Sequence, residues 1–349
     1  MFWYREVSMF WLRARAELRR FATLLAMWCG VIAVVAATAQ AAENVVLSTD
    51  FGYNGRQSYF FVALEKGYFK DEGLDVKILS GRGSATVIKE VGAGTVEIGF
   101  ADAGTLILAR GNEAVPVKMV AMVYVDSPLA LITLEKSGIK SPKDLVGKLY
   151  ADASGSATSM FFTAYAKASG IDPNSVRRIA AESTSLVGLL LNGKADVVGQ
   201  FSVWAPLFAK RAAPNKIKVL LYKDAPGFGV YSNGFIVGEA YLKAKPDTVR
   251  AVVKALQRGM RDAFADPAEA GRILAKHHPQ VEADIGQGET EMVRDIATDE
   301  FTKKHGLGYI DQAKMKATVD MVASVFNLKN PVKPEDVYAP GFISPIFPK

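Results

Sequence analysis

Cysteine is nearly missing from this chain. Of 349 residues only Cys29 is one, and it lies in an apolar N-terminal stretch. Once that stretch is removed, disulfides, thiolate metal sites and a cysteine nucleophile are excluded for the remainder. Histidine is scarce too: His277, His278 and His305 are all there are. The first two are adjacent at a helix end and cannot both point at one metal, and none stands in an HExxH or CxxC arrangement. There is no G-x-S-x-G elbow and no Walker phosphate loop. Gly155-Ser156 opens a helix, but no histidine is placed to activate the serine. The expectation is therefore no catalytic residue, no metal and no cofactor. An excess of charge is absent as well. The net charge is +6, but residues 1–41 hold five Arg and two Glu, so the rest carries only +3. That gives no reason to expect a nucleic-acid partner. There is no internal repeat and no low-complexity tract. With 22% charged and 50% hydrophobic residues, the composition is globular, enough for about two domains.

What is present begins with a targeting pattern. Arg5, Arg13, Arg15, Arg19 and Arg20 precede an apolar run from Phe21 to Ala37, and Ala39-Gln40-Ala41 follows. A basic region, an apolar region and an A-x-A end describe a secretory signal peptide, here residues 1–41, cleaved after Ala41 or Ala42. The other reading, an uncleaved anchor, needs a spanning helix at the short limit of length. Trp28 before Cys29 is too bulky for a lipoprotein signal. Arg19-Arg20 resembles a twin-arginine pair, although the residues after it fit poorly.

From Val45 onward, β-branched runs alternate with helical patterns. Strands are expected at Val45–Ser48, Leu74–Ser80, Val96–Ala101, Pro116–Val125 and Ser127–Glu135, then in KLYADA, SVRRIAAE, KADVVGQF, NKIKVLLY and SNGFIVGE. Helices are expected between them, and after Gly238 at Thr248–Phe264, Pro267–His277, Ile285–Thr302 and Gln312–Phe326. This rhythm is that of α/β lobes with mostly parallel sheets. The expected organisation is a first lobe of 42–134 and 237–349, interrupted by a second lobe of 135–236. Crossovers would lie near Leu134–Lys136 and Phe235–Gly238.

Ligands of open α/β sheets bind beyond the carboxyl ends of strands, where helix N-termini point free N–H groups at them. Four segments sit there: Asp50–Gln57, Ser80–Ala85, Phe100–Thr105 and Ala151–Ser159. They place Asp50, Asn54, Gln57, Asp102, Ser154 and Ser156 as hydrogen-bonding candidates. Gly83 and Ser84 suit an anionic or strongly polar group, or else form a plain turn with an N-cap serine. Phe51, Tyr53, Tyr124, Trp204 and Tyr231 are candidate stacking faces, each of them equally explicable as core packing.

The stretches GYFKDEGLDV, AGTVEIGFAD, SGIKSPKDLVGK and ADPAEAGRIL carry a resemblance. Together they resemble the substrate-binding proteins of ABC importers, in the group that holds thiamine-pyrimidine and sulfonate/nitrate/taurine binders. The resemblance implies the type-2 periplasmic binding protein fold, two mixed-sheet α/β lobes joined by two crossovers. It also implies a small-molecule solute in the interlobe cleft, an ABC permease in the inner membrane as partner, a periplasmic location and a monomer. Pyrimidine-type members resemble D-W-x-P-N-x-x-H at this point; here Asp50 and Asn54 match, Phe51 keeps an aromatic, Tyr53 replaces Pro and Gln57 replaces His. A fungal branch is an enzyme that uses its own histidine and a cysteine-rich iron motif. Gln57 and the missing cysteines set this chain apart from that activity and open the ligand beyond thiamine pyrimidines, with sulfonate, taurine or nitrate-type oxyanions as the alternative.

Overall fold

The computed structural model describes residues 42–349. The expected signal peptide, with Cys29, lies outside them. Ten strands form two five-stranded sheets. The first contains Glu43–Ser48 (β1), Leu74–Leu79 (β2), Ile98–Asp102 (β3), Val117–Met122 (β4) and Asn233–Gly238 (β10), in the order β2-β1-β3-β10-β4. The second contains Leu129–Leu134 (β5), Leu149–Ala153 (β6), Arg177–Ala181 (β7), Val197–Phe201 (β8) and Ile217–Leu221 (β9), in the order β7-β6-β8-β5-β9. Each sheet is parallel except for one strand. β10 runs antiparallel to β3 and β4, and β5 antiparallel to β8 and β9. Central strands such as β3, β8 and β10 are buried along their whole length, as continuous apolar runs covered on both faces must be.

The helices of eight or more residues are Ser58–Glu65 (α1), Ser84–Gly92 (α2), Ala103–Glu113 (α3), Ala157–Ala168 (α4), Ala205–Ala212 (α5), Pro246–Ala265 (α6), Pro267–His277 (α7), Ala283–Ala297 (α8) and Gln312–Val325 (α9). Several starts follow from local chemistry. Asp102 accepts from the Thr105 N–H to cap α3, Ser156 from Ser159 to cap α4, and Asp311 from Lys314 to cap α9. The helix expected over Ile285–Thr302 is two helices. Asp299 is extended and caps a new turn, Glu300–His305, in a reciprocal capping box with Thr302.

The expected lobe boundaries each miss by one strand. Leu129–Leu134 pairs in the second sheet and Asn233–Gly238 in the first, so the chain changes sheets over residues 123–128 and 222–232. An antiparallel strand feeding each sheet has the same apolar pattern as its parallel neighbours, so composition does not mark the exchange. The two crossovers run side by side: the Val123 and Tyr124 N–H groups donate to Asn233 O, and the Ser232 N–H donates to Tyr124 O. Both leave and enter at carboxyl ends of parallel strands. The carboxyl edges of the two sheets therefore face one another, which is the arrangement that creates a ligand crevice. α8 lies across this seam. Its last turn accepts from the Val125 N–H through Ile296 O, its middle touches Pro206 of α5 at Gly288, and the residues around its start pair with α5.

Candidate functional site

The segment after β1 turns sharply at Gly55–Gln57, with Asn54 as its cap. Asn54 Oδ1 accepts from the Arg56 N–H at 2.9 Å, and Gln57 Oε1 accepts from the Asn54 N–H at 3.2 Å. The expected ligand groups Asn54 and Gln57 are thus spent on shaping the turn. The turn swings Arg56 inward until it is fully buried. Its guanidinium donates to both oxygens of Asp50, Nη1 to Oδ2 at 3.1 Å and Nη2 to Oδ1 at 2.9 Å. Gln57 Nε2 and Asn233 Nδ2 donate to the same carboxylate at 3.2 and 2.9 Å. Four bonds occupy Asp50, so it cannot accept from a ligand as expected; it anchors Arg56 and the start of β10. A buried ion pair of this kind needs such satisfaction to offset desolvation.

Arg56 faces the second sheet. Its guanidinium carbon lies 5.0 Å from the Phe201 ring centre at the end of β8 and 6.0 Å from that of Phe51. Arg56 Nε has no partner among the described residues. Beside it the Tyr124 hydroxyl also has no partner among the described residues, and burial pushes its pKa well up. Tyr124 meets Phe100 and Phe201 edge-on at 5.4 and 6.4 Å. On α8, Glu289 is completely buried. Its Oε2 accepts from the Gly55 N–H at 2.6 Å, while Oε1 has no partner among the described residues. Burial raises this carboxyl to about 7, against the lowering pull of the Gly55 N–H and of Arg56.

The remaining expected residues divide. Phe51 is half-buried on the first-sheet wall and Trp204 half-buried on the second, where its Nε1 is without a partner among the described residues. Gly83 closes the seam. Its φ of 113° is one that L side chains rarely adopt, and a Cβ there would lie 3.5 Å from the Gly155 carbonyl oxygen of the second sheet's loop. Ser84, Asp102 and Ser156 are occupied internally. Ser84 Oγ accepts from the Asp102 N–H, Asp102 also takes the Thr105 and Ser232 hydroxyls, and Ser156 Oγ donates to Asp152 at 2.8 Å. Ser154 is exposed, in a groove with Tyr150, Asp152 and Arg178. Tyr53 and Tyr231 are not cleft faces. Tyr53 donates to Ile78 O and stacks on His278 at 4.0 Å, and Tyr231 accepts from the Asp311 N–H under α9. An aromatic in a loop packs on whichever side offers apolar area, and both found it away from the seam.

Arg56, Glu289, Phe201 and Asn233 were not among the expected site residues. The sequence holds one signal for Glu289: Gly286 and Gly288 inside one helix are costly unless another backbone or side chain comes close. Both are in contact, Gly286 with Gly271 and Gly288 with Pro206.

The family described as NMT1/THI5 like matches residues 54–270. The riboflavin-binding protein RibY of Chloroflexus aurantiacus is 25% identical over 312 residues, 86% of either chain. The formylaminopyrimidine-binding protein of Halalkalibacterium halodurans is 25% identical over 306 residues, 86% of this chain and 91% of that one. A 4-amino-5-hydroxymethyl-2-methylpyrimidine phosphate synthase of Legionella pneumophila is 25% identical over 248 residues, 70% of this chain and 77% of its own. Relatives therefore include both binding proteins and enzymes. Among solved structures, the alkanesulfonate-binding protein SsuA of Xanthomonas axonopodis pv. citri, bound to MOPS, superposes with a TM-score of 0.65. It is 15% identical and covers 87% of this chain and 100% of that one, which shows the fold expected from the sequence: that of periplasmic binding proteins. With more than half of its length matched, the chain belongs to the NMT1/THI5-like family.

Proposed function

We propose that this protein is the exported solute-binding receptor of an ABC importer, and that it captures a small, flat, nitrogen-bearing heterocycle between the two sheets and delivers it to a membrane permease. One observation carries the choice of ligand class. The facing carboxyl edges hold two half-buried aromatics, Phe51 at 6.0 Å from the Arg56 guanidinium carbon and Trp204 on a turn that packs against α8, together with buried polar atoms without partners among the described residues, Arg56 Nε, Tyr124 Oη and Glu289 Oε1. Aromatic walls with a few convergent polar groups suit a flat polar solute. The alternative, a sulfonate or similar oxyanion, rests on Gly81–Ser84 and Ser154–Ser156 at helix starts. Ser156 Oγ donates to Asp152, which takes that hydrogen from an oxyanion; Ser84 Oγ accepts from the Asp102 N–H, and Ser154 is exposed. The protein acts without chemistry of its own: Gln57 stands where the enzyme branch has histidine, and its oxygen and nitrogen are held by Asn54 and Asp50. It works as a monomer.

A thermal-shift screen of the mature protein tests this. Riboflavin, aminopyrimidines, taurine and alkanesulfonates are compared at a hundredfold excess over Kd, where a ligand adds about 2.7 kcal/mol. A shift by a heterocycle is expected. A shift by taurine or alkanesulfonates alone would replace the ligand class with the oxyanion. Binding of pyridoxal phosphate or iron by the purified protein would revive the enzyme class.

A further inference from the structure

The seam buries polar atoms that the protein itself does not satisfy. Arg56 Nε, Tyr124 Oη and Glu289 Oε1 belong to residues with 0% exposure, and none has a partner among the described residues. They come from three separate elements: the Asn54-capped turn, the crossover after β4, and α8. Geometry places them together: Glu289 accepts from the Gly55 N–H, next in the chain to Arg56, at 2.6 Å, and Arg56 and Tyr124 both lie against the Phe201 ring, at 5.0 and 6.4 Å. Each orphaned buried group is costly, so three at one locus mark a place built for a partner from outside. The supporting bonds hold two of the three in fixed orientations. Asp50 takes one N–H from each Nη of Arg56, while Nε–H has no partner among the described residues, and the Gly55 N–H takes one Glu289 oxygen, while the other has none.

We infer that Glu289, Arg56 and Tyr124 form a ligand-reading subsite that accepts an N–H of the solute at Glu289 Oε1 and donates to an adjacent lone pair from Arg56 Nε, with the Tyr124 hydroxyl serving either side. This rests on the receptor function proposed above and narrows its ligand. The subsite takes a heterocycle whose edge presents a donor beside an acceptor, as an imide or an amino-substituted ring nitrogen does. A sulfonate offers acceptors only, and above pH 7, where Glu289 is ionised, neither side has a hydrogen to give at Oε1.

Calorimetric titration at about pH 8, where Glu289 is ionised, decides it, with riboflavin, 4-amino-5-hydroxymethyl-2-methylpyrimidine and ethanesulfonate as probes against the wild type, Glu289→Gln and Tyr124→Phe. Glutamine has one side-chain oxygen where glutamate has two. It cannot serve both the Gly55 N–H and the solute. Glu289→Gln should weaken the heterocycle that binds by about 10–100-fold and leave ethanesulfonate no weaker. Tyr124→Phe, which deletes a single hydroxyl, should weaken it by about 3–10-fold and covers the case in which the first variant fails to fold. A wild type that binds a heterocycle, with the foldable variants matching it within about threefold, overturns the subsite and leaves the receptor function standing. If neither heterocycle binds the wild type, the heterocycle class itself falls and the subsite with it.

Discussion

Replacing Glu289 by Gln should change how stability responds to pH. In the folded protein the buried carboxyl titrates at about 7, against 4.5 in the unfolded chain. Between those values the unfolded chain has lost the proton and the folded protein keeps it. The unfolded state thus binds fewer protons, and stability falls as pH rises through this window. The whole penalty is absent below pH 4.5 and complete above 7. A shift from 4.5 to 7 corresponds to about 3 kcal/mol. Asp152, raised to about 6 by burial, adds a slope of the same sign in its own window, so the wild-type curve alone is not diagnostic. The difference between wild type and Glu289→Gln isolates one group. Urea unfolding without ligand at pH 4.5, 6 and 8 should show the variant gaining on the wild type by about 3 kcal/mol across the series. A difference that stays constant within about 0.5 kcal/mol would mean that Glu289 is solvated, and the geometry assigned to the seam would be wrong.

Three further outcomes follow from other parts of the seam. Arg56→Met strips the buried Asp50 carboxylate of its counter-charge and should destabilise by about 3–5 kcal/mol in urea, with much of it restored by adding Asp50→Asn; a cost under about 1 kcal/mol would refute the pair's role. Gly83→Ala forces a φ of 113° on an L residue and should lower stability by about 1–3 kcal/mol, read as a drop in melting temperature. Phe51→Ala and Trp204→Ala should each weaken solute binding by about 10–100-fold, whereas unchanged affinity with a lowered melting temperature would assign those rings to the core.

The elements were legible because burial wrote them. β1 to β10 all lie where β-branched runs were read, and Pro267–His277 coincides with its helical pattern. Two things were not. Which sheet β5 and β10 join is decided by pairing between distant segments, and both are as apolar as strands that stay in their own sheet. The site was half legible. The motif after β1 points to the turn that buries Arg56, and most of the polar residues expected there as ligand groups build the turn itself. Arg56 is not among the residues expected in the site; the Asp50 carboxylate six positions before it draws its guanidinium inside. Glu289 lies far along the chain on a helix whose polar pattern resembles a solvated face, and only its flanking glycines set it apart.

The contact between α5 and the start of α8 is a clasp at the rim of the cleft and a weak one. Lys210 pairs with Glu282 and Asp284 at 2.8 and 2.6 Å, and Arg211 pairs with Glu282, on side chains 38–67% exposed. Ion pairs so open to water contribute about 0–1 kcal/mol each and fade as salt rises. Such a clasp cannot hold an empty receptor closed, and it adds little to the cost of letting cargo go. Grip then has to come from the solute's own contacts deeper in the seam. An importer that must release what it captures is served by a rim of this kind.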